Sequence, residues 1–186
     1  MYKRCVTEQS AKRQRELENG LMAAMLAHPY EEITVSDLCD SMNIPRKSFY
    51  RYFSSKEGAL YALIDHTMTD FAGEFFSIEF SDTLNTLERL FSFWKGQSKL
   101  LDVLAVNNLS GLLYHRGVIR ATEDNLVAKQ LFRHRESYAK EYVTTFLISG
   151  LISMIIQWHS KGFKESPRQL ANIAAHMLTM NIIDSL

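Results

Sequence analysis

The residues best suited to chemistry in this chain lie in the stretch NIPRKSFYRYFSSKEGAL, residues 43–60. From Pro45 to Lys56 there are four cations (Arg46, Lys47, Arg51 and Lys56) and no carboxylate. The whole chain balances 21 Lys and Arg against 21 Asp and Glu, so this excess of positive charge is local. Cations interleaved with aromatic rings are suited to holding an anion such as a phosphate backbone. The same composition also fits a solvated helix face with core aromatics.

Two short predicted helices position this stretch. Thr34 is a good N-cap for the helix TVSDLCDSM, and Asp37 three residues later gives a start that resembles a capping box. Asn43 enters the left-handed backbone region easily and is predicted to end this helix. Pro45 suits the first turn of the next helix, where its missing N–H costs nothing.

The second short helix is predicted to have an inner and an outer face. Phe49 and Phe53 are four residues apart and point inward together with Ile44. The outer face carries Arg46, Lys47, Arg51 and Tyr52. Short helix, turn and short helix between longer helices is helix-turn-helix organisation, which places the second short helix in the major groove of DNA. Arg and Lys can donate to the acceptor pair of guanine, and Thr34, Tyr52 and Lys56 are of the kinds that bind phosphate oxygens.

The periodicity is helical almost everywhere, and no convincing alternating run indicates a strand. The sequence therefore predicts an all-α protein of about nine helices and no sheet. A long helix is predicted over residues 128–160 and ends at Gly162. The last helix is predicted to begin at Ser166-Pro167, where Gln169 completes a capping-box spelling, and to run to near Ile183.

The segment ITVSDLCDSMNIPRKSFYRYFSSKEGALYALI resembles the DNA-binding domain of the TetR/AcrR repressor family. The match runs from about residue 10 to residue 66 and is densest at SFYRYFSSKEGAL. The resemblance implies an all-helical fold with a DNA-binding domain over residues 1–54 and a ligand-binding and dimerisation domain over residues 55–186. It implies phosphate contacts at Thr34, Tyr52 and Lys56, base or groove contacts at Arg46, Lys47, Ser48 and Tyr50, and flanking contacts at Ser36 and Arg51. Asn43 stands where the family usually has Gly, and Lys47 where it often has a small residue, so the operator cannot be borrowed from relatives.

The predicted long helix is apolar on every face between Phe146 and Trp158, so it needs a partner on more than one side. Gly150, between Ser149 and Ser153, would let another backbone approach closely. We therefore expect a two-fold dimer through two helices per subunit, as the resemblance also implies, although the helix could instead be central to a monomer core. The expected interface residues are Ile148, Leu151, Ile152, Ile155, His159, Ile173 and Met177.

Aromatic residues are frequent in the middle helices, and the resemblance implies an effector pocket among them. Its expected lining is Met68, Phe71, Phe75, Phe91, Trp94, Leu112, Tyr114 and His115. Aromatic stripes at helical spacing are also typical of plain core, and that alternative stays open. If a pocket exists, it should be mostly apolar, with few polar anchors.

These patterns predict a sequence-specific, DNA-binding transcriptional regulator: a repressor that a small apolar or aromatic effector releases from an inverted-repeat operator in double-stranded DNA. The alternative is a helical adaptor whose helix-turn-helix binds protein. Catalysis has no support, because the motif at Ser92 and Lys95 falls mid-helix without companions and the six histidines lack metal-ligand spacing. We expect no cofactor and no metal. With no apolar signal segment at the start and no run that could span a bilayer, we expect a cytoplasmic protein without a membrane partner.

Overall fold

The computed structural model describes residues 2–76, 82–123 and 140–179. Within these ranges the chain forms nine α-helices and one 3-10 turn, and the only extended pairing is an isolated bridge between Tyr2 and Phe53. The predicted all-α architecture is therefore confirmed. The helices are α1 Glu8–Ala27, α2 Val35–Ser41, α3 Arg46–Tyr50, α4 Lys56–Phe76, α5 Thr83–Gly96, α6 Ser98–Val106, α7 Ser110–Glu123, α8 Lys140–Ser160 and α9 Pro167–Thr179, and the 3-10 turn is Tyr30–Glu32.

The chain divides into two compact units. The first contains Met1–Thr67 and Asp102–Leu109, and the second contains Met68–Leu101 and Ser110–Leu186. This division differs from the expected boundary after residue 54, because the first half of α4 and the end of α6 pack with the helix-turn-helix. Burial explains the difference for α4, whose Ala59, Leu60, Leu63 and Ile64 are all buried.

The first unit is built on α1. Thr7 caps this helix by accepting a hydrogen bond from the Ser10 N–H at 3.2 Å. Leu17, Leu21 and Met25 recur at intervals of four residues, which places them on one face, and all three are buried. Their burial gives α2 and α4 an apolar surface to pack against.

The link between α1 and α2 is held by Asn107, the residue directly after α6. The N–H of Tyr30 donates to Oδ1 of Asn107 at 2.6 Å. Nδ2 of Asn107 donates in turn to the Val103 carbonyl at 2.8 Å, which fixes the amide group to its own helix. A backbone N–H in a buried link needs a partner, and a side chain about 75 residues further along the chain supplies it here.

The second unit pairs its helices closely. In it α9 packs along α5, α7 packs along α8, and α5 also touches α8. The Trp158 ring of α8 meets Phe91 edge-on with centroids 5.9 Å apart, and its Nε1 donates to the Glu165 carbonyl at 3.0 Å. A Cβ added to Gly117 would lie 2.4 Å from Cδ1 of Ile152, so the close approach of α7 to α8 depends on this glycine.

Helix α8 begins at Lys140 in the described part of the chain, and residues 128–139 of the predicted long helix lie outside it. Its span Glu141–Ser160 is long and apolar enough to cross a membrane by length and composition alone. Core helices of soluble proteins have the same properties, and α8 packs along α7 within the second unit. The predicted end at Gly162 is confirmed by its φ of 69°. The capping box of α9 is also confirmed, since the Ser166 N–H donates to Oε1 of Gln169 and the Gln169 N–H donates to Oγ of Ser166.

Candidate nucleic-acid interface

Helix α2 starts with a complete capping box. The Asp37 N–H donates to Oγ1 of Thr34 at 3.1 Å, and the Thr34 N–H donates to Oδ2 of Asp37 at the same distance. The O–H and the N–H of Thr34 both donate to the Asp37 carboxylate and, with Arg46 as a smaller contributor, lower the pKa of Asp37. Because the folded pKa is lowered, the stabilisation by this carboxylate is present above its unfolded pKa and is lost as the pH falls through the folded value.

The turn between α2 and α3 has the predicted backbone. Asn43 is left-handed, with a φ of 52°, and the Ile44 N–H reaches back to the Cys39 carbonyl at 2.9 Å. Pro45 is the N-cap of α3, one residue before the first turn in which we expected it. Asn tolerates this left-handed position better than most residues with a side chain, which explains how it serves where a glycine is usual.

Two buried rings seat α3 on the rest of the first unit. Phe49 is fully buried, Phe53 is 1% exposed, and their centroids are 5.1 Å apart. Tyr50 meets Phe49 edge-on at 5.7 Å but remains 51% exposed. Burying two phenylalanines contributes several kcal/mol, of the order of 1.5–3 kcal/mol each, which is enough to hold so short a helix in place.

The opposite face of α3 is cationic and open. Arg46, Lys47 and Arg51 are exposed, and Nη2 of Arg46 donates to Oγ of Ser36 on α2. Among the residues that the structure describes, neither Lys47 nor Arg51 has an ion-pair partner. Ser48 is half-buried on the flank of this surface. The two short helices thus present their polar groups together, as base and phosphate recognition requires.

The expected pocket residues of the second unit fall into two groups. Phe91 and Trp94 are core side chains: Phe91 has no accessible surface and therefore touches no cavity large enough for water, and Trp94 is only 4% exposed. This corrects the expectation that these two rings line a pocket. Met68, Phe71 and Leu112 are half-buried, whereas Tyr114 and His115 are exposed. The side chain of Phe75 lies outside the described residues.

The expected interface residues also differ in burial. Ile152 and Ile155 are 6% and 1% exposed, because they point into the second unit, where Ile152 meets Gly117. This corrects their assignment to a surface that contacts a partner. Ile148, Leu151 and His159 are half-buried, and Ile173 and Met177 are 50% and 56% exposed. Two side chains that the sequence analysis did not select, Tyr142 and Phe146, are the most exposed apolar groups of α8.

Two sequence families match this chain. The model described as "Bacterial regulatory proteins, tetR family" matches residues 21–63, which contain the helix-turn-helix. The model described as "Transcriptional regulator C-terminal region" matches residues 81–180, more than half of the chain. The chain belongs to the TetR family of bacterial transcriptional regulators. No curated protein sequence matches it.

Solved structures share the TetR-family fold at low sequence identity. The fatty acid degradation regulator FadR from Bacillus halodurans is 16% identical with a TM-score of 0.65, and the match covers 91% of this chain and 96% of that one. A TetR transcriptional regulator from Streptococcus agalactiae is 19% identical with a TM-score of 0.62, covering 91% and 94%. The dihydroxyacetone kinase operon activator DhaS is 18% identical with a TM-score of 0.60, covering 91% and 96%.

Three residues that the TetR resemblance predicts to contact phosphate, Thr34, Tyr52 and Lys56, make contacts within the protein in this structure. The single O–H of Thr34 donates to Oδ2 of Asp37 at 2.6 Å, so in this structure Thr34 caps α2 and has no proton left to donate to a phosphate. Tyr52 is only 9% exposed rather than on the outer face, and its carbonyl accepts from the Lys3 N–H at 2.9 Å. The expected position of Tyr52 on the outer face is therefore corrected, whereas the phosphate contacts of both residues stay predictions.

The ammonium group of Lys56, the third residue expected to contact phosphate, is bonded within the first unit. Nζ donates to the carbonyls of Tyr30 at 2.6 Å, Ile33 at 2.8 Å and Glu31 at 3.3 Å, and it lies 4.4 Å from the centroid of the Tyr30 ring. A lysine has three N–H donors, and here all three meet carbonyl oxygens of the α1–α2 link. Lys56 therefore fastens the start of α4 to that link in this structure, and its expected phosphate contact stays a prediction.

Sequence reasoning missed the segment that precedes α1. Tyr2–Cys5 lies along the end of α3 through the bridge between Tyr2 and Phe53, and it carries exposed Lys3 and Arg4. The adjacent cations in YKRC were a signal in the sequence. Their position beside α3 could not be predicted from the sequence, since it depends on the pairing of Tyr2 with Phe53, about 50 residues later in the chain.

We expect Lys56→Met to lower the free energy of unfolding by about 1–3 kcal/mol, because carbonyls of the α1–α2 link lose their charged donor while the apolar stem is kept. Lys47→Met is the matched control: it removes an exposed, unpaired lysine and should change stability by less than about 0.5 kcal/mol. Urea unfolding monitored by circular dichroism measures both. If Lys56→Met were as stable as the wild type and lost about one unit of salt slope in DNA binding, Lys56 would be a phosphate contact after all.

Proposed function

We propose that this protein is a homodimeric, sequence-specific DNA-binding repressor that a small-molecule effector releases from a near-palindromic operator. The observation that carries the proposal is the acid-free, exposed face of α3, seated by Phe49 and Phe53 and joined to α2 through the bond between Arg46 and Ser36. Membership of the TetR family supports DNA binding as such. In this proposal the first unit reads DNA, the second binds the effector and the partner subunit, and the protein works in the cytoplasm.

Arg46 and Lys47 are the proposed readers of base edges. Both can donate to the O6 and N7 acceptors of guanine in the major groove. Ser48 and Tyr50 are proposed to contact base edges or the groove beside them, and Ser36 and Arg51 are suited to flanking contacts. Lys47 stands where relatives often have a small residue, so we propose that it gives this regulator an operator of its own.

We expect Arg46→Ala combined with Lys47→Ala to weaken operator binding at least a hundredfold, because each lost base contact is worth about 1–3 kcal/mol. The operator itself can be recovered by selection from a random duplex pool, and fluorescence anisotropy gives the affinity over a range of salt concentrations. Wild-type affinity should fall steeply with salt, since phosphate contacts release counterions.

The matched control is Lys161→Ala combined with Lys164→Ala, which removes the same charge from exposed positions of the second unit. This control should bind DNA nearly as well as the wild type. If the Arg46 and Lys47 variant bound no worse than the control, or if wild-type binding were insensitive to salt, the helix-turn-helix would serve a protein partner instead.

The proposed dimer rests on exposed apolar side chains of the second unit. Tyr142, Phe146 and Gly150 recur every four residues on α8, and the two aromatic side chains are 74% and 61% exposed. Ile173 and Met177 form a similar exposed pair on α9. Gly150 has no neighbouring atom within 4 Å of an added Cβ, so a second backbone could approach there. Apolar strips of this kind are typical of isologous interfaces between copies of one chain, which supports a two-fold arrangement of α8 and α9.

We expect Phe146→Asp combined with Met177→Asp to give a monomer, because the charges would be desolvated in the interface without partners. Size-exclusion chromatography with light scattering measures the mass, which should be that of a dimer for the wild type at micromolar concentration. Val106→Asp is the control, because Val106 is 80% exposed but lies outside the proposed interface. A wild-type monomer, or a double variant that remained dimeric, would contradict the proposed interface.

An effector site in the second unit has one supporting observation. Thr144 on α8 is 1% exposed, and its hydroxyl has no hydrogen-bond partner in the described part of the chain. A buried unpaired hydroxyl costs about 1–3 kcal/mol, which a ligand with a polar group could recover. We propose that Thr144 is a polar anchor in an otherwise apolar effector site that draws on Met68, Phe71 and Leu112. Effector binding would favour a conformation with low affinity for the operator.

Fatty acids are a reasonable first set of ligands, because the structural relative FadR is described as a fatty acid degradation regulator. We expect a true effector to raise the melting temperature and to release the operator in the anisotropy assay. Thr144→Val keeps the shape of the side chain but removes the hydroxyl, so it should weaken the response at least several-fold while leaving DNA binding unchanged. If no compound in a broader apolar screen shifted the melting temperature, the effector proposal would fail.

A further inference from the structure

The segment Tyr2–Cys5, which we call the N-terminal arm, is fixed to the first unit at each end. The hydroxyl of Tyr2 donates to Oδ2 of Asp65 at 2.7 Å, and its ring meets His66 edge-on at 5.4 Å. Further along the arm, Nε2 of Gln14 donates to the Lys3 carbonyl at 3.0 Å, and the Cys5 thiol donates to Oε1 of Gln14 at 3.1 Å. Three of the four residues, Tyr2, Lys3 and Cys5, are thus held by side chains from α1 and α4.

The anchoring groups are buried, so the contacts are structural rather than incidental. Gln14 and Asp65 are each 1% exposed. A buried amide or carboxylate without a partner is costly, and the arm supplies partners to both. His66, beside Tyr2, is also bonded to the fully buried Glu18, with Nδ1 2.8 Å from Oε1. Removing the arm would therefore take hydrogen bonds away from Gln14 of α1 and Asp65 of α4.

The two middle residues of the arm point their charges outward. Lys3 and Arg4 are exposed, and within the described residues neither forms an ion pair. The antiparallel bridge between Tyr2 and Phe53, with the bond from the Lys3 N–H to the Tyr52 carbonyl, brings Lys3 beside the last turn of α3. Arg51, exposed and unpaired, is the residue next to Tyr52. Lys3 thus lies beside the residue that follows Arg51, and Arg4 is the next residue of the arm, so two exposed cations from a distant part of the sequence lie near the end of α3.

We propose that the N-terminal arm is a second DNA-contacting element, in which Lys3 and Arg4 bind phosphate oxygens beside those reached from the end of α3. The proposal rests on the function proposed above for α3. Duplex DNA is the partner that fits, because the arm continues a surface already directed at DNA and offers ammonium and guanidinium groups without a base-reading helix. Arginine and lysine on such a flank position the protein on the backbone and are largely indifferent to sequence.

The test is Lys3→Ala combined with Arg4→Ala in the full chain, with any purification tag at the other end. Each lost phosphate contact should reduce the slope of log K against log salt by about 0.9, which for two contacts is a total of about 1.8. At 0.1 M salt this corresponds to a loss of affinity of roughly ten- to hundredfold. The sequence recovered from the duplex pool should stay the same, and so should the melting temperature, because neither side chain is buried.

Two comparisons make the result decisive. Lys161→Ala combined with Lys164→Ala removes the same charge elsewhere and should leave the slope unchanged. Gln14→Leu keeps both cations but frees the middle of the arm, and it should weaken DNA binding by more than that control if placement of the arm matters. A Lys3 and Arg4 variant with the slope of the control, while the wild type still binds DNA, would overturn the arm proposal alone. A wild type with no salt-dependent binding would overturn the proposed function and the arm together.

Discussion

The architecture of the first unit, which we call the head, depends on how the short link between α1 and α2 is held. Tyr30 and Ile33 of this link are buried, and its backbone groups that are not bonded within the 3-10 turn find partners elsewhere in the chain. Lys56 gives its three N–H groups to the carbonyls of residues 30, 31 and 33, and Asn107 accepts the N–H of Tyr30. One charged group from α4 and one amide from the residue after α6 therefore fix where α2 begins. The position of α3 follows from α2 through the turn at Asn43.

The head divides its residues between construction and recognition. Phe49 and Phe53 are buried and hold α3 in place, and Thr34 caps the start of α2. Arg46, Lys47, Tyr50 and Arg51 remain on the open face. The residues that hold the head together are therefore different from those proposed to contact DNA, so the exposed face can vary while the fold of the head is kept.

Features that depend on neighbours in the sequence could be predicted from it. The capping box at Thr34 and Asp37, the left-handed Asn43, and the inward direction of Phe49 and Phe53 all follow from spacings of a few residues, and the structure confirms them. The roles of Lys56 and Tyr52 could not be predicted in this way. A lysine suits a phosphate and a carbonyl equally, and its three carbonyls lie 23 to 26 residues earlier in the chain. The position of Lys3 is likewise decided by a long-range pairing.

The bond between Asn107 and Tyr30 makes the α1–α2 link unlike an ordinary surface loop in its exchange with solvent. The N–H groups of Tyr30, Glu32 and Ile33 are all hydrogen-bonded, at 2.6, 3.0 and 3.2 Å. Hydrogen exchange at the N–H groups of Glu32 and Ile33 reports the opening of the 3-10 turn. Hydrogen exchange at Tyr30 instead requires its N–H to separate from the Asn107 side chain. A difference in deuterium uptake between Tyr30 and Ile33 therefore measures whether the end of α6 stays attached to the head.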